Sequence, residues 1–214
     1  MNFRLLKRAR LAIAVLAPGI CLTATLQAQG FGSAHWKSKG EIAGGPQGSM
    51  QTESELWMKD KKVRIKTTAM GMNVNVLKSG DLMYQWQEGQ TTGMKMSAKA
   101  RQRGASADYV NKIEEIRTKG KKIGSETVGG HACDIYEYTE TPEQGRAVKQ
   151  TFWMAKGLKN FPVKVVAEIG EAKITTVNSD IQIGASVPDA LVTPPDNVKF
   201  EDMSEMMKGM PPKK

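Results

Sequence analysis

Residues 55–96 alternate between apolar and polar side chains in a series of short runs. In an extended chain, a period of two places one row of side chains on each face of a pleated sheet. The runs are separated by residues that favour tight turns, at Asp60-Lys61, Met70-Gly71, Ser79-Gly80-Asp81 and Glu88-Gly89-Gln90. The pattern predicts an antiparallel meander with one apolar face. That face would carry Leu56, Met58, Val63, Ile65, Met72, Val74, Val76, Leu82, Tyr84, Trp86, Met94 and Met96.

A different periodicity follows at residues 106–118, where apolar side chains recur at helical spacing. Ser106 can cap the start of a helix, and Gly120 is expected to end it. We expect this amphipathic helix to lie on the apolar face of the meander and to cover it. Its apolar stripe would consist of Tyr109, Val110, Ile113 and Ile116.

Further strands are predicted before the meander and after the helix, at residues 34–42, 122–128, 131–139, 147–155, 161–169 and 172–183. With the meander they give about eleven strands, which is more than an open twisted sheet accommodates without curling. The expected fold is therefore mainly β (α+β). It is an incomplete antiparallel β-barrel of about eleven strands, with one amphipathic helix covering the concave face.

The first 28 residues have the features of an export signal, with basic residues before an apolar stretch at residues 11–26. That stretch is shorter than the ~20 residues of a membrane-spanning helix. Ile20 directly before Cys21 does not fit a lipoprotein signal. We therefore expect a signal peptide at residues 1–28, a single domain at residues 30–200 and a flexible Met- and Lys-rich tail at residues 201–214. The mature protein would reside in the periplasm.

Export changes what the charge of the chain implies. The whole chain has a net charge of +9, but the signal holds four of the 31 basic residues and none of the 22 acidic ones, which leaves +5. Such a mildly basic surface favours peripheral contact with anionic membranes and gives no indication of nucleic-acid binding. Cys133 would be the only cysteine of the mature chain, so stability must come from a packed core rather than from an internal disulfide.

We find no catalytic motif in the sequence. The two histidines, His35 and His131, belong to no known nucleophile or zinc signature. His131 and Cys133 would point the same way on a strand, but further ligands are missing, and a buried cysteine beside a turn histidine is the favoured interpretation. We therefore expect no enzymatic activity, no cofactor and no metal site at this cluster.

Methionine is abundant, with thirteen in the chain. The pairs Met70–Met72 and Met94–Met96 each place two thioethers on one strand face, a spacing that Cu(I) would accept. The favoured interpretation is an adaptable apolar pocket, because unbranched, polarisable side chains fit ligands of varied shape. Periplasmic Cu(I) binding is kept as an alternative.

Three segments of the sequence resemble the periplasmic outer-membrane lipoprotein carriers, the LolA-like proteins. They are Glu55-Leu56-Trp57-Met58-Lys59, Val76-Leu77-Lys78-Ser79-Gly80-Asp81-Leu82-Met83-Tyr84 and Thr193-Pro194-Pro195-Asp196-Asn197-Val198. The resemblance implies an unclosed antiparallel barrel around a hydrophobic cavity with a helical lid, which carries acyl chains across the periplasm. Asp60 stands where well-studied carriers have a lid-fastening arginine, and the family's N-terminal helix is missing. The chain is therefore interpreted as a divergent member.

From these observations we expect a non-enzymatic periplasmic binding or carrier protein with an apolar ligand in a hydrophobic cavity. The ligand would be a lipid or lipoprotein acyl chain, with an envelope protein as partner and no nucleic acid. The protein would be a monomer. The apolar row of the meander would line the cavity, and Tyr109, Ile113 and Ile116 would cover it. Besides Cu(I) binding, a protein-interaction module with a filled core is the other alternative.

Overall fold

The computed structural model describes residues 31–45, 48–69, 71–98, 111–140 and 147–203. In this part of the chain, twelve strands form one sheet in the order β12-β6-β5-β4-β3-β2-β1-β11-β10-β9-β8-β7. The strands are β1 (Ser33–Gly45), β2 (Gly48–Lys59), β3 (Lys62–Ala69), β4 (Met72–Ser79), β5 (Leu82–Gln87), β6 (Thr92–Ser97), β7 (Lys121–Val128), β8 (His131–Glu140), β9 (Val148–Ala155), β10 (Phe161–Ile169), β11 (Ala172–Ile183) and β12 (Lys199–Asp202). The described helical elements are α1 (Asn111–Lys119) and two 3₁₀ turns, Lys156–Leu158 and Asp189–Val192.

The sheet stays open, and its edges are β12 and β7. All neighbouring strands are antiparallel except β12, which runs parallel to β6. The predicted incomplete antiparallel barrel with one helix is thereby confirmed. β12 was not predicted, because its four residues are too few to show an alternating pattern. Several expectations lie outside the described residues: the export signal, Met70, the helix start at Ser106 with Tyr109 and Val110, and the tail beyond Met203.

One face of the sheet packs against α1, and we call it the inner face. The inner core on this face consists of Phe31, Ala34, Trp36, Leu56, Met58, Val63, Ile113, Ile116, Phe152, Met154 and Phe161. Ile113 and Ile116 come from the helix, and the remaining side chains come from the sheet and from the residue just before it. The predicted apolar stripe of the helix therefore packs where it was expected, at both described positions.

The opposite, outer face carries a second core. Residues of the segment 185–200 pack against side chains of β2, β4 and β5 on this face, so the meander has buried side chains on both faces. The outer core consists of Leu77, Trp86, Val187, Val192 and Val198, with Trp57, Tyr84, Ala185, Leu191 and Phe200 packed against it. Because both faces of the meander are covered, an apolar residue in it can be buried on either side.

Arg64 of β3 ties the C-terminal segment to the outer face. Its guanidinium lies between the rings of Trp57 and Trp86, 5.5 and 5.2 Å from their centroids. It donates hydrogen bonds to Asn75 Oδ1 at 2.8 Å and to the Leu191 carbonyl at 3.5 Å. Burial of the guanidinium lowers the pKa of Arg64 from its ordinary value.

Helix α1 ends at Lys119, directly before Gly120, as the sequence predicted. The Gly120 amide donates to the Ile116 carbonyl at 2.9 Å and closes the last turn. A Cβ atom on residue 120 would come into severe contact with that same carbonyl oxygen. The turn from α1 into β7 therefore depends on a residue without a side chain.

Gly120→Ala is expected to destabilise the protein by about 1–3 kcal/mol, because the added methyl group must displace backbone atoms. Gly157→Ala is the matched control, since a Cβ there would meet no atom within 4 Å. Urea unfolding of both variants measures the difference. Equal, small effects of the two substitutions would contradict this description of the helix end.

Candidate ligand-binding face

The antiparallel register shows which side chains share a face, because directly opposed residues lie on the same side of a sheet. Leu56 pairs with Ile65, Ile65 with Val76, Val76 with Gln85, and Gln85 with Met94. These five residues form one row across β2 to β6 on the inner face. The predicted apolar row is therefore correct for four of the five strands of the meander.

The predicted residues differ in how deeply the inner face buries them. Leu56, Met58 and Val63 are buried in the inner core, and Ile65 is half-buried against it. Met96 is also buried, at the end of β6. The middle of the predicted row is thus part of the core that holds the protein together.

Val74, Val76 and Met94 are half-buried on the inner face, and we call these three side chains the open row. Among the described residues they belong to none of the three clusters of buried side chains. Met72 lies on the same face at the far end of β4 and is 39% exposed. The apolar surface of the inner face therefore extends beyond the part that packs against α1.

Leu82, Tyr84 and Trp86 do not lie on the inner face, and their assignment to it was wrong. A two-residue turn at Gly80 and Asp81 connects β4 to β5, so Leu82 pairs with Ser79. Tyr84 and Trp86 then pair with Leu77 and Asn75 on the outer face. The physical reason is the outer core, in which apolar side chains on the outer face are also buried and stabilise the fold. These three side chains cannot line the same surface as Val76.

The inward residues of β5 are instead Met83, Gln85 and Gln87, which sequence reasoning missed. Met83 is directly opposite Met96, and Gln85 is directly opposite Met94. The signal that could have found them is the turn length, because a two-residue turn fixes the register of a hairpin.

Four polar side chains cross the inner face at one level, on β3, β2, β1 and β11. We call Thr67, Ser54, Ser38 and Asn178 the polar row. The Ser54 and Thr67 hydroxyls are hydrogen-bonded to each other at 3.0 Å, and Asn178 Nδ2 donates to the Pro162 carbonyl at 2.7 Å. Ser38 lies between these two bonded pairs. The inner face therefore combines an apolar wall with a band that can form hydrogen bonds.

Tyr138 of β8 connects the helix to the sheet. Its hydroxyl donates to Glu115 Oε1 at 3.0 Å. Burial of the ring, assisted by this carboxylate, raises the pKa of Tyr138 to about 12. The phenol is therefore neutral at physiological pH and keeps its proton for the hydrogen bond to the helix.

Beneath the described part of α1, Ile113 and Ile116 occupy the space above the sheet. A cavity of about 440 Å³ lies at the end of β11. It is lined by Phe31, Gly157, Leu158, Lys159, Ile181, Gln182, Ile183 and Gly184. A smaller cavity, of about 220 Å³, is lined mostly by polar and charged residues of β1, β2 and β3. Both of these cavities thus lie away from the described turns of α1.

In the His131–Cys133 cluster, the cysteine is buried, as the favoured interpretation of the sequence expected. Cys133 is buried, and its Sγ donates to the His131 carbonyl at 3.2 Å. Burial raises the pKa of the Cys133 thiol, which disfavours the reactive thiolate. Within the described ranges there is no group of three or more His, Cys, Asp or Glu side chains that could hold a metal ion. No helix of the described residues is long and apolar enough to cross a membrane.

The methionine pairs do not combine into one site. Met94 is level with Val76 of β4, and Met72 lies four residues further along that strand, roughly 13 Å away in the strand direction alone. Met72 and Met94 therefore cannot bind one ion together. Met70 lies outside the described residues.

Comparison with solved structures finds several chains to which this one is similar. The chain is similar to a LolA superfamily protein from Nitrosomonas europaea, at 11% identity and a TM-score of 0.44, over 77% of this chain and 91% of that one. It is also similar to the lipoprotein LppX of Mycobacterium tuberculosis, at 14% identity and 0.45, over 75% and 91%. A conserved protein from Thermus thermophilus gives 7% identity and 0.50, over 78% and 90%. At these identities the likeness concerns the fold alone.

The family assignment comes from the sequence itself. Residues 44–182 match the model of DUF4412, described as a domain of unknown function, and the chain belongs to this family. A comparison with curated protein sequences gives no match.

Two leucines test the corrected assignment of faces. Leu77→Ala is expected to cost about 2–5 kcal/mol of unfolding free energy, because Leu77 is fully buried in the outer core. Leu82→Ala is the matched control and should cost less than about 1 kcal/mol, since Leu82 is 40% exposed. Denaturant unfolding measures both. A larger loss for Leu82→Ala would restore the original assignment.

Proposed function

We propose that this protein is a non-enzymatic periplasmic binding or carrier protein that holds a lipid or lipoprotein acyl chain on the inner face of its sheet. The observation that carries the proposal is the open row. Val74, Val76 and Met94 continue the apolar inner core onto β4 and β6, and no cluster of described side chains includes them. Apolar surface that the fold does not bury is typical of a binding site for an apolar ligand.

The inner face has the properties that an acyl chain requires. Side chains of the open row are unbranched or β-branched hydrocarbon and thioether groups, which offer contact area without charge. Each methylene group removed from water contributes about 0.8 kcal/mol, so a partly covered chain can be held without polar recognition. The cavity of about 440 Å³ at the end of β11 carries apolar side chains of Phe31, Leu158, Ile181 and Ile183 and offers a second, separate apolar surface.

The sequence motifs and the predicted export signal support the cellular part of the proposal. The resemblance of the sequence motifs implies a carrier of acyl chains between envelope membranes. With the corrected faces, the proposed contact residues are the inner-face side chains that are not fully buried, namely Ile65, Met72, Val74, Val76 and Met94. The protein would act as a monomer that receives its ligand from, or delivers it to, an envelope protein or membrane surface.

Val76→Asp is expected to lower acyl-chain binding by at least about tenfold, because a carboxylate on the inner face must be desolvated beside the ligand. Val177→Asp is the matched control, since Val177 is 39% exposed and pairs with Lys164 on the outer face. Native mass spectrometry of the purified protein measures co-purified lipid, and a fluorescent fatty-acid probe gives the affinity. Circular dichroism verifies that both variants are folded.

Two outcomes would contradict the proposal. One is an unmodified protein that shows a clean ligand-free mass and binds no acyl probe. The other is equal loss of binding in the two aspartate variants, because that would place the ligand away from the inner face.

Cu(I) binding is the second candidate, and one observation favours it. Met83 lies directly opposite Met96, and Met94 follows on the same face two residues away, so three thioethers are close together on β5 and β6. Thioethers are soft ligands that select Cu(I).

Met94→Leu combined with Met96→Leu is expected to abolish Cu(I) uptake in competition with a chromogenic chelator. Met72→Leu is the control and should leave uptake unchanged, because Met72 lies far along β4. If the unmodified protein takes up no Cu(I), this second candidate is wrong.

A further inference from the structure

Two hydrogen-bond donors on β1, at the inner face, are almost fully buried. Trp36 is 0% exposed and Ser38 is 3% exposed. Neither Trp36 Nε1 nor Ser38 Oγ has a hydrogen-bond partner among the described residues. Buried polar groups in folded proteins are almost always hydrogen-bonded, so two such atoms on one strand require an explanation.

The two donor residues are neighbours on the same face of β1. Trp36 and Ser38 are two residues apart on β1, so their side chains leave the same face roughly 6–7 Å apart. Trp36 is opposite Leu56 in the inner core, and Ser38 is opposite Ser54 and Asn178 in the polar row. The pair therefore lies at the boundary between the apolar wall and the hydrogen-bonding band.

The groups around Trp36 and Ser38 determine which hydrogen-bond acceptor can bind there. An indole N–H can only donate, and a hydroxyl can donate as well, so one acceptor with two lone pairs can satisfy both. The neighbouring groups of the polar row are neutral hydroxyl and amide groups. A carboxylate placed here would lack a compensating positive charge and would be costly to desolvate. A neutral carbonyl oxygen has two lone pairs and carries no charge, so it fits this position.

We infer that Trp36 and Ser38 form a subsite for the carbonyl group of a neutral acyl ester, with its hydrocarbon chain along the apolar inner face. This inference rests on the proposed function and specifies its ligand class. An acyl ester combines a long apolar chain with one carbonyl oxygen, which matches the apolar wall and the two donors beside it. A plain hydrocarbon would leave both donors unpaired, and a fatty-acid anion would bring an uncompensated charge.

The experiment compares three probes of equal chain length: dodecane, methyl laurate and laurate. The chain has four tryptophans, and their indole N–H signals can be resolved in ¹H–¹⁵N spectra and assigned with Trp36→Phe. Methyl laurate is expected to move the Trp36 indole proton downfield, whereas dodecane should not. The ester is also expected to bind more tightly than laurate.

Substitutions give an independent readout. Trp36→Phe and Ser38→Ala should each weaken binding of methyl laurate by about three- to tenfold, the usual effect of one hydrogen bond, and leave dodecane binding unchanged. Trp153→Phe and Ser179→Ala are the matched controls, because Trp153 bonds to Glu126 and Ser179 pairs with Lys37 on the outer face. The serine variants change little volume, so they test the inference even if Trp36→Phe proves unstable.

The outcomes separate this inference from the proposed function. If all three probes bind, the Trp36 signal stays fixed and the Ser38→Ala and Ser179→Ala variants behave alike, the carbonyl subsite is wrong while apolar binding stands. Tighter binding of laurate than of the ester would overturn the choice of a neutral ligand. If none of the probes binds, the proposed function fails and the subsite fails with it.

Discussion

The antiparallel register between β2 and β6 is the constraint on which both cores depend. Because side chains alternate between faces, a slip of one residue would exchange the entire inner and outer sets. Leu56 is fully buried on the inner face and Leu77 on the outer one, so such a slip would expose both. The two cores therefore oppose register errors together. In a sheet with only one covered face, a slip in register would expose only one set of buried side chains and would therefore cost less free energy.

The outer core also stabilises strands whose inner side chains are only half-buried among the described residues. Leu77 and Trp86, together with the C-terminal segment, stabilise β4 and β5 from the other side. Arg64, held between two tryptophan rings, adds a cation–π contact to that layer. Stability of these strands then does not require their inner side chains to be packed. The side chains of the open row can remain half-buried because packing on the outer face stabilises β4 and β5.

Much of the fold could be predicted from the sequence, because strong periodicities have few interpretations. The alternation in β2 and β3 and the helical spacing of Ile113 and Ile116 each fit one structure well. β5 was assigned to the wrong face because Leu82, Tyr84 and Trp86 satisfy the alternation on either side. Leu77, an apolar residue at a polar position, was a signal of the second core. The polar row could not be predicted, because Ser38 and Asn178 become neighbours only through the pairing of β1 with β11.

The pairing of β6 with β12 joins two segments that are far apart in sequence. Thr92 is adjacent to Lys199, although most of the domain lies between them in sequence. Contacts of such high sequence separation must wait until the intervening chain is available, and they are slow to form. An emerging polypeptide would therefore display Leu77 and Trp86 to water until residues 185–202 have been synthesised. Exposed apolar side chains promote aggregation, so the chain is most prone to aggregate during this interval.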